Sequence, residues 1–188
     1  SVQLTSLALA TRRDALLDRL EATLAPRAVI LRTEKGVLEE EGLEAKDGAL
    51  RGTAPDAPVE IVENGIRYLA ELRTGQKTGF FLDQRDNRVA VARYAEGRRV
   101  ADLFCYSGGF TLSCLRAGAR SVVGVDVSAS ALDLAGRNAT ANRLDDGRVR
   151  FEESDGFKWL ERSIESGDRY DLVVLDPPRF ARSSRGLA

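Results

Sequence analysis

Val100-Ala101-Asp102-Leu103-Phe104-Cys105-Tyr106-Ser107-Gly108-Gly109-Phe110 is a short apolar run that ends in small residues and opens into a helical pattern. It reads as a strand, a tight turn and a helix N-terminus, in which Gly108 and Gly109 give the turn backbone freedom and let a ligand approach the main chain. A second apolar run, Ser121-Val122-Val123-Gly124-Val125, follows the helix and stops at Asp126. In doubly wound folds an acidic residue at the tip of the second strand accepts hydrogen bonds from both hydroxyls of a nucleoside ribose. The two stretches together point to a nucleoside-cofactor site. The competing reading of Gly-Gly after a strand is an ordinary turn between strand and helix.

Charge narrows the choice of nucleoside. A dinucleotide brings a pyrophosphate, whose fingerprint is three spaced glycines at a helix N-terminus, and that spacing is absent. Asp102 sits inside the first strand, near its end, where it repels a pyrophosphate and suits a cation. S-adenosylmethionine carries an ammonium and a sulfonium and no phosphate, so it fits this turn better than NAD does.

The chain has 188 residues, 43% of them apolar, with a formal net charge of −1. That is enough for a real core in one or two domains, and it leaves no global basic footprint for nucleic acid. Cys105 and Cys114 are the only cysteines and there is no histidine, which excludes a disulfide framework, a zinc site and imidazole catalysis within the chain. No metal is expected. No segment reaches the roughly 18 apolar residues of a membrane span, and the N-terminus lacks a signal-peptide layout, so a cytoplasmic protein is expected. The chain has no methionine and is expected to begin inside a longer protein.

From the N-terminus, Ser6 to Leu24 reads as one amphipathic helix, with Leu9, Ala10, Leu16, Leu17, Leu20 and Leu24 on one stripe and Pro26 as its stop. Its Arg12-Arg13 pair reads as a solvated face rather than an RNA contact. Ala28 to Arg32 reads as a short strand. Thr33 to Pro58 reads as loops with short strands around Val37-Leu38 and Ala49-Leu50. Two alternating runs around Asn64-Gly65, Val59 to Val62 and Ile66 to Leu72, carry the strongest short-range hairpin signal. Residues 1–74 are expected to be a small α+β domain.

Thr74 to Arg85 fits no regular element; Asp83 is the expected N-cap of a helix running to about Ala95, with Val89, Ala92 and Tyr94 inward and Gly97 ending it. Beyond the first motif come a helix from Phe110 to Ala117, a helix capped by Ser128 or Ser130 running to about Asn142, and a strand from Val149 to Glu152. They are followed by a helix from Gly156 to Ser166 carrying Trp159, Leu160 and Ile164. The fourth strand, Tyr170 to Leu175, is apolar at its centre as a strand buried on both faces should be. Strands alternating with helices predict a parallel α/β sheet.

Asp155, Gly156 and Phe157 follow the third strand, beside which a cofactor base would lie. Asp155 can accept from an adenine amino group or cap the next helix, and an aromatic there can cover the ring. At the fourth strand's tip stand Asp176-Pro177-Pro178-Arg179-Phe180. The prolines hold the backbone extended, and Phe180 is placed to stack on a flat ring.

With those motifs in hand the chain resembles the class I S-adenosylmethionine-dependent methyltransferases. Adding Gly75-Gln76-Lys77-Thr78-Gly79-Phe80-Phe81-Leu82-Asp83-Gln84-Arg85, it is most similar to the bacterial 23S ribosomal RNA methyltransferases that make 5-methylcytosine. The similarity spans residues 59–188 and rests on five separate motifs. It implies a Rossmann-like sheet, incomplete with four strands and confined to residues 75–188, preceded by the small α+β domain.

It also implies a cofactor pocket lined by Asp102, Phe104, Tyr106, Ser107, Gly108, Gly109, Asp126, Val127, Asp155, Gly156 and Phe157, with the segment that carries Gln84 closing over it. Asp176, Pro177, Pro178 and Phe180 would position the target base. Members of this family usually carry an N-terminal PUA domain and three further strands after the Asp-Pro-Pro motif; neither is in this sequence.

Carbon 5 of cytosine is a poor nucleophile, so these enzymes are understood to add a cysteine thiolate to carbon 6 of a flipped-out base. The resemblance puts that cysteine beyond Ala188, and Cys105 reads as a small buried hydrophobe near the turn. Ribosomal RNA is the expected partner. A homodimer is expected through the exposed edge of the fourth strand. The alternatives are a guanine-methylating enzyme with the same core, a non-catalytic RNA-binding module with a relic cofactor fold, and a nicotinamide dehydrogenase.

Overall fold

A computed structural model describes residues 1–33, 42, 46–73 and 79–178 of the chain. The expected strand at Val37-Leu38, the residues Gly75 to Thr78, and Arg179 with Phe180 lie outside the described residues. The chain divides into two compact units, Ser1–Ile61 with Tyr68–Leu82, and Val62–Arg67 with Asp83–Ala188.

In the first unit the expected single helix is two, α1 (Leu7–Ala10) and α2 (Arg13–Leu24). The break falls at Thr11-Arg12, where the Thr11 hydroxyl donates to the Ala8 carbonyl at 3.1 Å and competes with the helical ladder. Leu17 is the one buried residue of the expected stripe, and Leu9, Leu16 and Leu24 are exposed. Part of α2 faces a strand through charge instead, since Arg51 reaches Asp18 at 3.5 Å and Glu21 at 3.6 Å.

That strand is β2 (Gly48–Gly52), antiparallel to β1 (Ala28–Leu31), whose Val29, Ile30 and Leu31 are buried. The hairpin is present as β3 (Val59–Glu63) and β4 (Ile66–Ala70). Asn64 and Gly65 both adopt left-handed backbone, φ 50° and 75°, the pair a two-residue turn of this kind requires. Tyr68 is buried against the Phe80 ring, centroids 4.9 Å apart.

In the second unit a single 3₁₀ turn, Leu82–Gln84, enters helix α3 (Arg85–Ala92). Asp83 lies within that turn and is not the N-cap; the N-cap position falls to Gln84, without a side-chain cap bond. The helix stops at Ala92, Val89 and Tyr94 are exposed, and the residue it buries is Arg88. A polar partner, Glu63, draws that arginine inward where hydrophobicity alone favours the valine.

The sheet comprises β5 (Arg99–Leu103), β6 (Ser121–Asp126), β7 (Val149–Glu153) and β8 (Leu172–Leu175). All its pairings are parallel and its order is β7-β6-β5-β8. The connecting helices are α4 (Gly109–Arg116), α5 (Ala129–Ala141) and α6 (Gly156–Ser166), with Ser128 the N-cap of α5. Ala101, Leu103, Val123, Val125 and Trp159 form one packed cluster, while Ile164 of α6 is exposed.

Strand β8 departs from expectation. Val174 is buried, but Val173 and Leu175, which share the opposite face, are 48% and 52% exposed, and among the described residues β8 pairs with β5 alone. The chain builds outward from β5 to β6 and β7, then returns to β5's other side, so the order reverses between β5 and β8. Ligands of open α/β sheets bind outside the carboxyl ends of the strands at such a reversal.

Candidate cofactor site

The turn leaving β5 is the most strained piece of described backbone. Phe104, Tyr106 and Gly108 take φ 62°, 48° and 80°. Each such non-glycine residue costs roughly 1–3 kcal/mol and persists only where its surroundings over-determine it. The surroundings here are explicit. Cys105 N donates to the Val125 carbonyl at 3.0 Å, Gly108 N to the Cys105 carbonyl at 2.8 Å, and Tyr106 N to Asp126 Oδ2 at 2.8 Å. The Ser107 carbonyl accepts from Asn138 Nδ2 at 3.0 Å. A Cβ on Gly108 would stand 3.2 Å from that of Ala135, so the turn packs directly on α5.

Asp126, at the tip of β6, is buried and accepts from Tyr106 N with one oxygen and Ser128 N, at 3.0 Å, with the other. A carboxylate oxygen has two acceptor sites, so each retains capacity for a ribose hydroxyl. The same side chain therefore shapes the turn and keeps acceptor capacity to spare. Val127 follows it and is exposed.

Asp102 is more deeply placed than an open cation partner would be. It is buried, and its Oδ2 accepts both the Thr111 amide at 2.8 Å and the Thr111 hydroxyl at 2.6 Å. Burial pushes its carboxyl up to about 7, against the pull of Thr111, and the charges of Asp176 and Asp126 add to the rise. Asp126 of β6 and Asp176, just after β8, thus each act electrostatically on Asp102.

At the third tip Asp155 is the N-cap of α6, its Oδ1 accepting from Phe157 N and Lys158 N at 3.0 Å each. Of the two readings of Asp155 the cap is therefore realised. Phe157 is 42% exposed and meets the Phe104 ring edge-on, centroids 5.6 Å apart. Gly156 is closed beneath, where a Cβ would come within 2.9 Å of the Phe104 ring. Phe104 thus ties the first tip to the third.

The fourth tip is joined to the segment before α3. Gln84 Nε2 donates to Asp176 Oδ2 at 2.9 Å, and Asn87 Nδ2 donates to Gln84 Oε1 at 2.6 Å. Pro177 and Pro178 are exposed beside them, and Phe180 lies outside the described residues. Cys105 and Cys114 are buried; burial pushes the Cys105 thiol far up and that of Cys114 up to about 12, so neither is a ready thiolate. No cluster of metal-binding side chains occurs among the described residues.

Thr111, Asn138, Arg88 and Glu63 belong to this architecture and were not expected from sequence. Thr111 reaches Asp102 across nine residues and Glu63 reaches Arg88 across 25, distances at which no periodicity or cap pattern signals a pair. The site combines a tight turn, a ribose-competent carboxylate, half-exposed aromatics and an acidic cluster. Carboxylates at these strand tips favour a cationic nucleoside over a phosphate-bearing one.

Comparison with known proteins bears on which one. The family model for S-adenosylmethionine-dependent methyltransferases matches residues 12–188. The chain is 45% identical over 177 residues to the ribosomal RNA large subunit methyltransferase I of Aeromonas hydrophila, covering 94% of this chain and 45% of that protein. Among solved structures, a candidate SAM-dependent methyltransferase from Streptococcus mutans superposes with TM-score 0.81 at 25% identity, over 94% of this chain and 45% of that one. A candidate methyltransferase solved in complex with SAH superposes with TM-score 0.82 at 25% identity, over 97% and 46%. The chain spans just under half the length of the curated relatives it matches.

Proposed function

The chain belongs to the S-adenosylmethionine-dependent methyltransferase family, and from that premise we propose that it binds S-adenosylmethionine and serves methylation of large-subunit ribosomal RNA at carbon 5 of a cytosine. The observation that carries the cofactor reading is the meeting of Asp126 with the strained 104–108 turn at the reversal of strand order. The ribosomal substrate is supported by the names of the curated relatives.

The residues fit the cofactor. Asp126 has acceptor capacity for a ribose diol, Asp155 with Phe157 and Val127 offers a capped, apolar surface for the base, and the acidic cluster suits the cationic end. The cofactor, when bound, supplies an electrophilic methyl group on a sulfonium. Around it Gln84 orients the Asp176 carboxylate, while Pro177 and Pro178 restrict the backbone that would hold the target base. Phe180 would stack on that base. The family resemblance assigns the thiolate for carbon 6 to a cysteine beyond Ala188, and the burial of Cys105 and Cys114 agrees with their being core residues. The functional domains proposed are residues 1–74 and 75–188, with a PUA domain and the remaining strands belonging to the full-length protein. No helix among the described residues is long and apolar enough to cross a membrane, and the proposed place of action is the cytoplasm.

The test is twofold. Calorimetry should detect S-adenosylhomocysteine binding and no NADH binding. The intact protein should transfer label from tritiated S-adenosylmethionine to 23S ribosomal RNA, with 5-methylcytidine released on digestion. A methylated guanosine would replace the cytosine assignment, and absence of both binding and transfer would remove the reading.

A further inference from the structure

The hairpin turn between β3 and β4 meets the strained cofactor turn from two directions. At one end Glu63, the last residue of β3, is buried and paired with buried Arg88 of α3. Arg88 Nε donates to Oε1 at 2.7 Å and Nη2 to Oε2 at 2.9 Å, a two-pronged bond. The same guanidinium lies along Gly109, the first residue of α4. A Cβ there would stand 3.2 Å from Arg88 Cδ and 3.4 Å from Nη1, so the two pack tightly.

At the other end Arg67, in β4, pairs through its backbone with a side chain. Arg67 N donates to Asn142 Oδ1 at 2.9 Å, and Asn142 Nδ2 donates to the Arg67 carbonyl at 2.6 Å. Asn142 Nδ2 also reaches the Asn138 carbonyl at 2.7 Å. Asn138, fully buried, donates to the Ser107 carbonyl at 3.0 Å. One arm therefore ends on Gly109 and the other on Ser107, the residues flanking Gly108.

Neither arm is an economical way to stabilise a core. A buried ion pair loses about as much by desolvation as it gains, and apolar residues of the same volume serve stability as well or better. A cation beside a helix N-terminus is unfavourable in itself and is tolerated here because Glu63 neutralises it. What a two-pronged pair and a paired amide supply over a hydrophobic contact is direction, and the turn they reach holds Phe104 and Tyr106 in left-handed backbone.

We propose that the hairpin tip Glu63–Arg67 is the strut that holds the cofactor turn in its binding geometry, with Arg88 and the Asn142–Asn138 pair as its two positioning arms. This rests on the cofactor reading of the turn. The strut acts on cofactor affinity rather than on fold stability, and loss of either arm lets the 104–109 backbone relax from its left-handed residues.

The experiment replaces the ion pair as a unit, Glu63→Leu with Arg88→Met, in the intact protein, and separately makes Asn142→Ala. S-adenosylhomocysteine affinity is measured by calorimetry, thermal stability by scanning fluorimetry, and amide exchange of the peptide covering 104–112 by mass spectrometry. The expected result is a melting temperature within a few degrees of the parent, affinity at least tenfold weaker, and faster exchange confined to that peptide. If the double variant does not fold, Arg88→Lys keeps the charge and loses the fork, and should show the same split in milder form. Affinity within twofold of the parent in folded variants overturns the strut while leaving the cofactor reading in place. A parent protein silent toward S-adenosylhomocysteine overturns both.

Discussion

Gln84 Nε2 lies 2.9 Å from Asp176 Oδ2, joining the turn that precedes α3 to the tip of β8 across 92 residues of chain. A neutral amide donating to a carboxylate both orients it and keeps its charge. Removing that donor would leave Asp176 free to rotate away from the position proposed for the target base.

Gln84→Ala is therefore expected to lower kcat/KM for RNA by roughly 10–160-fold, the equivalent of about 1.5–3 kcal/mol for a hydrogen bond to a charged group. Cofactor affinity should change little. Gln84→Glu should be worse than alanine, since it sets a second carboxylate against Asp176. Single-turnover rates with the intact protein check the order.

Asp126→Ala removes acceptors for Tyr106 N and Ser128 N as well as any ribose contact. S-adenosylhomocysteine binding should weaken by tenfold or more, in line with about 1.5–3 kcal/mol for charged hydrogen bonds. The melting temperature should fall as well, because two backbone donors lose their partner. Asp126→Asn keeps one acceptor and should sit between the two. Affinity unchanged in Asp126→Ala would remove the pocket assignment.

Asp102 makes stability depend on pH with a defined sign. Its carboxyl, ordinarily near 3.8, is raised to about 7 in the folded chain by burial, so the folded state binds the proton more tightly than the unfolded state. The contribution is fully present below about pH 4 and is lost as pH rises through 7. Asp102→Asn cannot titrate and should flatten that part of the curve, raising stability at pH 8 relative to the parent. Urea denaturation at pH 5 and pH 8 reads the difference; an unchanged slope in Asp102→Asn would assign the pH dependence elsewhere.

Cys105→Ala is expected to retain most methyl transfer in the intact protein and to form the same covalent adduct with 5-fluorocytosine-containing RNA. The thiol is buried and hard to ionise, and its loss removes packing and a weak hydrogen bond to the Tyr106 carbonyl. Loss of the adduct with cofactor affinity preserved would show that the nucleophile is Cys105.

Val173 and Leu175 are half exposed on β8, and in a protein ending at Ala188 a homodimer formed there should disappear in Val173→Lys. Sedimentation velocity on the parent and the variant measures it. A parent that is monomeric at high concentration speaks against the dimer.

The β5-turn-α4 motif, the hairpin at Asn64-Gly65, the alternation of strands with helices and the acidic residue at the β6 tip were all legible in the sequence. Each is set within a few residues by backbone freedom, capping or period, so the residues that cause it are neighbours in the chain. Asp155 shows the limit of such locality. Its two roles use the same residue type at the same position, and only the folded chain shows its Oδ1 directed at Phe157 N and Lys158 N.

Tertiary structure decided the rest. The return of β8 to the free side of β5 sets Asp176 electrostatically beside Asp102, and no local pattern specifies which strands become neighbours. The inward face of α3 went to Arg88 rather than Val89 because Glu63, 25 residues earlier, supplies a buried countercharge. Local periodicity reports the solvent preference of a side chain by itself. A buried charge is settled by its partner, and the partner is chosen by the fold.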